Sequence, residues 1–307
     1  MSKRIVSLSA TATELIGEIG LQGSIIGRSH ECDVPDSVLN MPICTEPRKG
    51  RYGLRLGMEQ DARSIVREAL SIHKIIPEVL AQLKPDVIVT ESLAKEYGVS
   101  DEVLQQAATA ICGSKAEIIN IQATNLQEIA TAIQQLGDKL NASGKGRELA
   151  NRFQKVMTDA QSHLEKHTTK PKVLCLQWLH PLVAAGNWMP ALVEMAGGEN
   201  LISKAGEASK MTTWDQIIAL DPEKIILMPA GEDMEKVGDE LQWLNKTNEF
   251  RTLTAFKSKQ VFTVDANHYF NRPTPKLADS LSALAELIHL PKPSKRKFFG
   301  TIWSEFF

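Results

Sequence analysis

Cysteine is scarce in this sequence and never paired. The four residues Cys32, Cys44, Cys112 and Cys175 are far apart, and no C-x-x-C motif occurs. Disulfide frameworks and structural zinc sites depend on several cysteines with closer or regular spacing. We therefore expect neither, and we expect free thiols in a reducing compartment.

Excess positive charge and long apolar runs are also lacking. Lys and Arg total 35 against 37 Asp and Glu, whereas proteins that bind nucleic acid usually carry a basic excess. The longest apolar runs, such as residues 224–228, are too short to span a bilayer, and no signal-peptide stretch follows Met1–Arg4. These features predict no nucleic-acid partner and no transmembrane segment. They also predict a cytoplasmic protein as encoded, or a periplasmic one if the N-terminus has been shortened.

Motifs for covalent catalysis and phosphate binding are missing as well. The sequence contains no G-x-S-x-G, no G-x-x-x-x-G-K-[ST] and no G-x-G-x-x-G motif. Gly197 and Gly198 follow a predicted helix rather than a strand, so they indicate a helix end and a turn. We therefore expect no enzyme, no catalytic residue and no catalytic cofactor.

Strand-like apolar runs alternate with helical patterns in the first third of the chain. One predicted helix begins at Thr11 or Thr13, a second runs through Ile75 to Leu83, and a third covers 101–111. The predicted strands lie at 4–8, 24–27, 86–90 and 117–121. Buried strands separated by helices indicate a parallel sheet with both faces covered.

The pattern changes after residue 123 and returns after Pro171. Two helical stretches separated at Gly144 and Gly146 fill the interval, and the second, from about Lys145 to His167, would be roughly 35 Å long at 1.5 Å per residue. We predict an α/β fold with two lobes of mainly parallel sheet joined by a single long connecting helix. We also predict a monomer. Its parts are an N-terminal lobe at 1–123, a connecting helical segment at 124–169, a C-terminal lobe at 170–290 and a basic, aromatic tail at 291–307.

Polar and aromatic residues follow the predicted strands. Ligands of open parallel sheets bind beyond the carboxyl ends of the strands, so these residues are candidates for ligand contact. They are Ser9, Thr11, His30, Trp178, His180, Trp188, His268, Tyr269 and Phe270. Only 6% of the chain is aromatic, so four rings at strand ends favour a pocket for a large, flat, partly apolar ligand. The alternative is that some of these rings cap the sheet core.

Three of the candidates are histidines, and the other four histidines lie on predicted helices. His30, His180 and His268 could hold a bare metal ion or occupy an axial position of a metal chelate. Alternatively each hydrogen-bonds a neighbouring loop. A less favoured possibility is a zinc or manganese site that adds Glu31, Cys32 and Asp33 to His30. The sequence alone does not decide which of these residues, if any, binds a metal.

The motifs resemble those of a known family. Residues 7–15 (SLSATATEL), 27–35 (GRSHECDVP), 177–181 (QWLHP), 185–190 (AGNWMP), 196–200 (AGGEN) and 265–275 resemble the cobalamin-binding proteins of vitamin-uptake ABC transporters, which are helical-backbone substrate-binding proteins. The resemblance covers residues 4–290. It implies a two-lobed fold and a corrinoid in the cleft between the lobes, held against aromatic side chains.

The same resemblance implies an ABC permease as a partner. The sequence differs from the family pattern at several positions. Glu78 matches an acidic docking position, whereas Asn271 occupies the second such position. Ala94 and Tyr97 stand where close relatives carry cysteines, and residues 44–72 form an insertion that would roof the cleft or be a mobile loop.

The leading hypothesis is therefore non-enzymatic binding of cobalamin or a related corrinoid, for ABC-type uptake or inside the cell. One alternative is a binding protein for another metal chelate (siderophore or haem) or a bare metal ion. Another is a cytoplasmic enzyme or chaperone that handles corrinoids. The tail at 291–307 suits a membrane surface or a partner groove, or else folds against its own lobe.

Overall fold

The structure, a computed structural model, describes residues 3–47, 71, 73–91, 101–113, 115–164, 168–229, 234–290 and 293–307. The chain divides into two compact units. Unit 1 comprises Met1–Gln122 and Thr131–Asn151, and unit 2 comprises Ala123–Ala130 and Arg152–Phe307. Ala94, Tyr97 and most of the predicted insertion at 44–72 lie outside the described residues.

Unit 1 contains a parallel sheet, as predicted. Four strands lie side by side in the order β2-β1-β5-β6, and every neighbouring pair is parallel. The strands of this unit are β1 (Ile5–Ser7), β2 (Ile25–Arg28), β3 (Thr45–Glu46), β4 (Lys74–Ile75), β5 (Val87–Thr90) and β6 (Glu117–Asn120). Among its described residues up to 122, the helices are α1 (Ala10–Glu18), α2 (Pro77–Leu83) and α3 (Asp101–Cys112). Strands β1 and β5 are buried at every residue, which explains their unbroken apolar sequences.

Two local predictions in unit 1 are wrong. Helix α1 is capped by Ser9, whose extended backbone lets its hydroxyl accept from the Ala12 N–H, and not by Thr11 or Thr13. The predicted helix through Ile75 begins only at Pro77, because residues 74–75 pair antiparallel with residues 45–46. That pairing joins segments far apart in sequence, so periodicity could not indicate it.

Two helices fill the region without strands, as expected. They are α4 (Leu126–Lys139) and α5 (Ser143–Ser162), the second about 30 Å long at 1.5 Å per residue. Gly144 and Gly146 belong to α5 instead of interrupting it. Gly146 contacts Gly137 of α4 so closely that a Cβ on Gly137 would lie 2.5 Å from the Gly146 Cα. These two glycines therefore allow the helix backbones to meet.

Unit 2 contains a mixed sheet of seven strands, with the path β10-β8-β7-β11-β12-β13 and β9 beside β7. Its core pairs β7–β11 and β11–β12 are parallel, whereas β8, β10 and β13 add antiparallel pairs. The strands are β7 (Lys172–Leu179), β8 (Leu182–Ala184), β9 (Glu199–Asn200), β10 (Lys210–Met211), β11 (Lys224–Leu227), β12 (Val261–Val264) and β13 (Trp303–Glu305). The helices are α6 (Met189–Met195), α7 (Trp214–Leu220), α8 (Met234–Lys246), α9 (Asn248–Thr252), α10 (Thr254–Lys257) and α11 (Leu277–His289). The parallel pairs agree with the mainly parallel sheet predicted for this lobe, whereas the antiparallel pairs were not predicted.

The C-terminal tail packs on unit 2. Strand β13 pairs with β12, and Trp303 is 2% exposed against Phe262, with ring centroids 5.6 Å apart. Buried Glu286 of α11 accepts hydrogen bonds from the backbone N–H groups of Lys297 and Phe298 and from Trp303 Nε1. Of the two alternatives for the tail, folding against its own unit is correct.

Each unit contains a copy of a short helix–turn–strand repeat. Helices α2 and α7 both end in a left-handed residue, Lys84 at φ 44° and Asp221 at φ 43°, followed by proline and a buried strand. The acidic residue after each proline accepts the first backbone N–H of a neighbouring segment: Asp86 from Arg4 and Glu223 from Lys172. In the part of the chain that the structure describes, no helix combines the length and apolarity needed to cross a membrane.

Candidate functional site

The sheet of unit 1 has a topological switch point between β1 and β5. From β1 the chain continues to β2 on one side, and it later enters β5 on the other side. Crevices that bind ligands lie at the carboxyl ends of the strands at such a point. Ser9 and Thr11 follow β1 there, and Glu91 follows β5.

Glu91 connects the two strand ends. Its carboxyl group is hydrogen-bonded by the side chains of Ser9 and Thr11, which are 1% and 2% exposed. Burial raises the pKa of Glu91 above its ordinary value of 4.5, and the hydroxyl of Ser9 and the charge of His73 oppose this only partly. Burial thus shifts the protonation of Glu91 to higher pH than that of an exposed glutamate.

The loop after β2 is wrapped around a buried arginine. Arg28 Nη1 donates to the carbonyls of Ser29 at 3.0 Å and Cys32 at 3.2 Å, and Nη2 donates to Leu39 at 3.1 Å. The residue is only 8% exposed. Because these donors and acceptors are fixed in the interior, the loop holds His30 and Glu31 in place.

The orientation of His30 is set by Thr45 of β3. His30 Nδ1 lies 2.8 Å from Thr45 Oγ1, which also accepts from the His30 backbone N–H at 3.1 Å. Since the hydroxyl proton of Thr45 is donated to Ser29 Oγ at 3.0 Å, Thr45 must accept from His30 Nδ1. The lone pair of His30 therefore resides on Nε2, away from Thr45.

His73 lies next to the ring of His30 and belongs to the segment just before β4. Its backbone N–H donates to Ser71 Oγ, and its ring packs edge-on against His30 with centroids 4.7 Å apart. His73 Nε2 lies 3.2 Å from Glu31 Oε2, and His30 Nε2 lies 3.9 Å from Glu31 Oε1. One donor atom from each of His30, Glu31 and His73 lies within 4.8 Å of the others, and this is the one such group of three among the described residues.

The imidazole of His30 is held in its neutral form. Burial, followed by the neighbouring His73, lowers the pKa of His30 below its ordinary value of 6.5, although Glu31 acts in the opposite direction. The neutral imidazole is the form that coordinates a metal.

The cysteines do not join this group. Cys32 Sγ accepts a hydrogen bond from Thr13 Oγ1 at 2.8 Å, and the residue is 1% exposed. Burial raises the pKa of Cys44 to about 12 and that of Cys112 to about 11, so both thiols stay protonated. All four cysteines are free. Of the possible metal set of His30 with Glu31, Cys32 and Asp33, the structure groups only Glu31 with His30 among the described residues, and it adds His73.

The aromatic candidates of unit 2 fall into two groups. Phe270 is fully buried, and Trp188 is 9% exposed, with its Nε1 donating to the Phe270 carbonyl at 2.9 Å. These two pack the interior and present little or no surface to a ligand in this structure. Trp178 and Tyr269 are half-buried.

The other two histidine candidates also lie in unit 2. His180 is exposed, and its ring packs edge-on against Trp243 with centroids 4.9 Å apart. His268 pairs with Asp265, with Nδ1 2.9 Å from Oδ2. Because His30 lies in unit 1, the convergence of His30, His180 and His268 on one ligand stays a prediction.

Sequence reasoning missed two residues of the unit 1 site. His73 was expected on a helix, and only its contact with the loop after β2 reveals its role. Glu91 directly follows a predicted strand, so the strand-end rule that indicates Ser9 and Thr11 applies to it equally. The structure brings Ser9, Thr11 and His30 into one cluster by way of these two missed residues.

An α/β sheet with polar groups gathered at its switch point is typical of ligand-binding proteins. The chain belongs to the periplasmic binding protein family, whose model matches residues 5–268. The resemblance to a family of substrate-binding proteins is thus confirmed.

The relatives bind more than one kind of ligand, to judge by their names. The vitamin B12-binding protein of Vibrio parahaemolyticus serotype O3:K6 is 25% identical over 302 residues, 96% of this chain and 91% of that protein. The high-affinity heme uptake system protein IsdE of Staphylococcus aureus (strain MRSA252) is 24% identical over 200 residues, 63% of this chain and 68% of that protein. Among solved structures, the periplasmic heme-binding protein RhuT from Roseiflexus sp. RS-1 in its apo form has a TM-score of 0.70 at 20% identity, over 94% of this chain and 98% of that one. This likeness confirms the fold.

Proposed function

We propose that this protein binds a metal chelate without transforming it, that the chelate is cobalamin or a related corrinoid, and that an ABC permease receives it. The observation that carries the proposal is the similarity to a vitamin B12-binding protein, which extends over 96% of the chain. A similarity of that extent includes both units. It is therefore not the signature of one shared domain.

The switch point of unit 1 supports a polar ligand of this kind. Corrinoids carry amide groups around the ring, which need both donors and acceptors. The carboxyl group of half-buried Glu91 is the group offered here, and the buried hydroxyls of Ser9 and Thr11 hold it in place. His30 adds a neutral imidazole, the side chain best suited to a metal centre.

The half-buried rings of unit 2 support an apolar surface. Trp178 lies in β7 and Tyr269 follows β12, and both residues are half-buried. Contact with the flat face or edge of a macrocycle is a common use of such rings. That the two units hold the ligand between them stays a prediction.

Haem is the second candidate, because the paired imidazoles of His30 and His73 favour it. Haem iron commonly takes an axial histidine. Two relatives with heme in their names fit the same proposal.

The test is titration of the purified full-length chain with cyanocobalamin and, separately, with haemin. Calorimetry and visible spectra should show one equivalent bound at micromolar protein or below. Heat with cyanocobalamin alone supports the corrinoid, and a haem spectrum with an imidazole-ligated band supports the alternative. Binding of neither chelate would overturn the proposal. Mass spectrometry of the recovered ligand should show it unchanged, whereas a changed mass would favour a corrinoid-handling enzyme.

Permease docking is proposed to involve Glu78. This residue is exposed in the first turn of α2, where its charge is accessible. Reversal of the charge in Glu78→Lys should weaken transport without changing chelate affinity in solution. Equal uptake by the variant and the wild type would contradict this role. The compartment in which the chain works stays a prediction.

A further inference from the structure

Unit 1 contains a group of metal-ligating atoms that is suited to a bare metal ion as well as to the metal of a chelate. His30 and His73 offer their Nε2 atoms, and Glu31 offers its carboxylate, all within 4.8 Å of one another. Donors that share one zinc ion at about 2.0–2.2 Å lie roughly 3.0–3.5 Å apart. The 3.2 Å between His73 Nε2 and Glu31 Oε2 meets this spacing, whereas His30 Nε2 lies 3.9 Å from the other oxygen, Oε1, so the side chains must draw closer around a bound ion.

The buried nitrogen of His73 points independently to a ligand. His73 is 8% exposed, and Nε2 has no hydrogen-bond partner among the described residues. Although Glu31 Oε2 is close, the contact does not have the angle of a hydrogen bond. A buried polar atom left without a hydrogen bond costs free energy, and a coordinated cation would satisfy it.

The surroundings of His30 have the form found around metal-bound histidines. A ligating imidazole usually donates its other ring N–H to a fixed acceptor, which sets the tautomer. Thr45 Oγ1 plays that part at 2.8 Å from Nδ1, and its own proton is held by Ser29. The loop that carries His30 and Glu31 is fixed by Arg28, so two of the three donors are preorganised.

We propose that His30 Nε2, His73 Nε2 and a carboxylate oxygen of Glu31 form a binding site for a divalent transition-metal ion of the zinc type, which is filled when no chelate metal occupies His30. Two imidazoles and one carboxylate are a donor set that Zn²⁺ accepts, with a fourth position left for water or a further ligand. This site goes beyond the chelate proposal, since the ion itself is the ligand.

The test uses Zn²⁺ alone on the full chain without a polyhistidine tag, followed by Co²⁺ as a spectroscopic substitute. Competition with a chromophoric chelator should give one Zn²⁺ per chain, and Co²⁺ should produce visible bands of a four- or five-coordinate site. His30→Gln, His73→Gln and Glu31→Gln should each weaken Zn²⁺ binding at least tenfold. His163→Gln serves as the matched control, because His163 is an exposed histidine just after α5.

Circular dichroism and thermal melting establish that each variant is folded. Glu31→Gln is nearly isosteric, so it separates loss of a ligand from loss of structure if a histidine variant unfolds. Absence of stoichiometric Zn²⁺ binding to the wild type would overturn the proposal, as would equal affinity in wild type and folded Glu31→Gln. No chelate is present in these measurements, so their outcome does not depend on whether cobalamin or haem binds.

Discussion

Thr45 Oγ1 accepts a hydrogen bond from His30 Nδ1 at 2.8 Å and thereby leaves the lone pair of His30 on Nε2. This one contact links a two-residue strand to the chemistry of the candidate site. A valine at position 45 would have nearly the same shape but no acceptor.

Thr45→Val should therefore weaken Zn²⁺ binding by about tenfold or more, the usual effect of losing such a partner. Thr45→Ser retains the hydroxyl and should stay near the wild-type affinity. The same chelator competition measures both, with a thermal melt of each variant. If Thr45→Val binds Zn²⁺ as the wild type does, Thr45 does not position His30.

The contact between α4 and α5 predicts opposite effects of alanine at two glycines. In Gly137→Ala the new methyl group would meet the Gly146 backbone at 2.5 Å, so the variant should lose about 1–3 kcal/mol of unfolding free energy. Gly144→Ala has open space, and it should gain up to about 1 kcal/mol through helix propensity. Urea unfolding of both variants tests this. A Gly137→Ala protein as stable as Gly144→Ala would contradict the close approach.

Glu286 should be the main anchor of the C-terminal tail. Glu286→Ala removes the acceptor for two backbone N–H groups and for Trp303 Nε1, at an expected cost of about 3 kcal/mol. Glu305→Ala removes only an exposed ion pair with Arg296, N–O distance 3.2 Å, and should cost under about 1 kcal/mol. Urea unfolding and Trp fluorescence compare the two. Equal losses would show that the tail is not held through Glu286.

How much of this architecture was predictable follows from the range of the interactions. Strands β5 and β11 are short apolar runs with a helix on either side, so local sequence is enough to place them. The turns at Lys84 and Asp221 depend on equally local sequence, since a proline follows each of them. By contrast, β13 exists only because Trp303 pairs with a strand about 40 residues earlier, which no local pattern encodes.

The candidate site shows the same contrast between residues placed by local sequence and residues placed by long-range contacts. Ser9, Thr11 and His30 stand directly after strands, and the strand-end rule indicated all three. His73 could not be placed, since it reaches Glu31 only after β4 pairs with β3. Phe270 follows a strand, and Trp188 stands at the beginning of a helix. Which side each ring faces depends on packing, and both rings face the interior.

A buried lysine in unit 2 predicts how stability depends on pH. Lys224 of β11 is 8% exposed, and burial lowers its pKa from the ordinary 10.5 to about 8, only partly offset by Glu223. Between these two pH values the unfolded chain binds the proton and the folded chain does not. The unfolding free energy therefore rises with pH across this window, by up to about 3 kcal/mol, and the charged lysine opposes folding below pH 8.

Lys224→Met removes this titration while keeping the length of the side chain. The variant should be more stable than the wild type at pH 7, and its advantage should shrink steadily as the pH increases from 8 to 10. Urea unfolding of both proteins at each pH measures the difference, in which all other titrating groups cancel. A difference that stays constant over this range would mean that Lys224 keeps its proton in the folded protein, so that its contact with Gln260 and the ring of Phe262 offsets the burial.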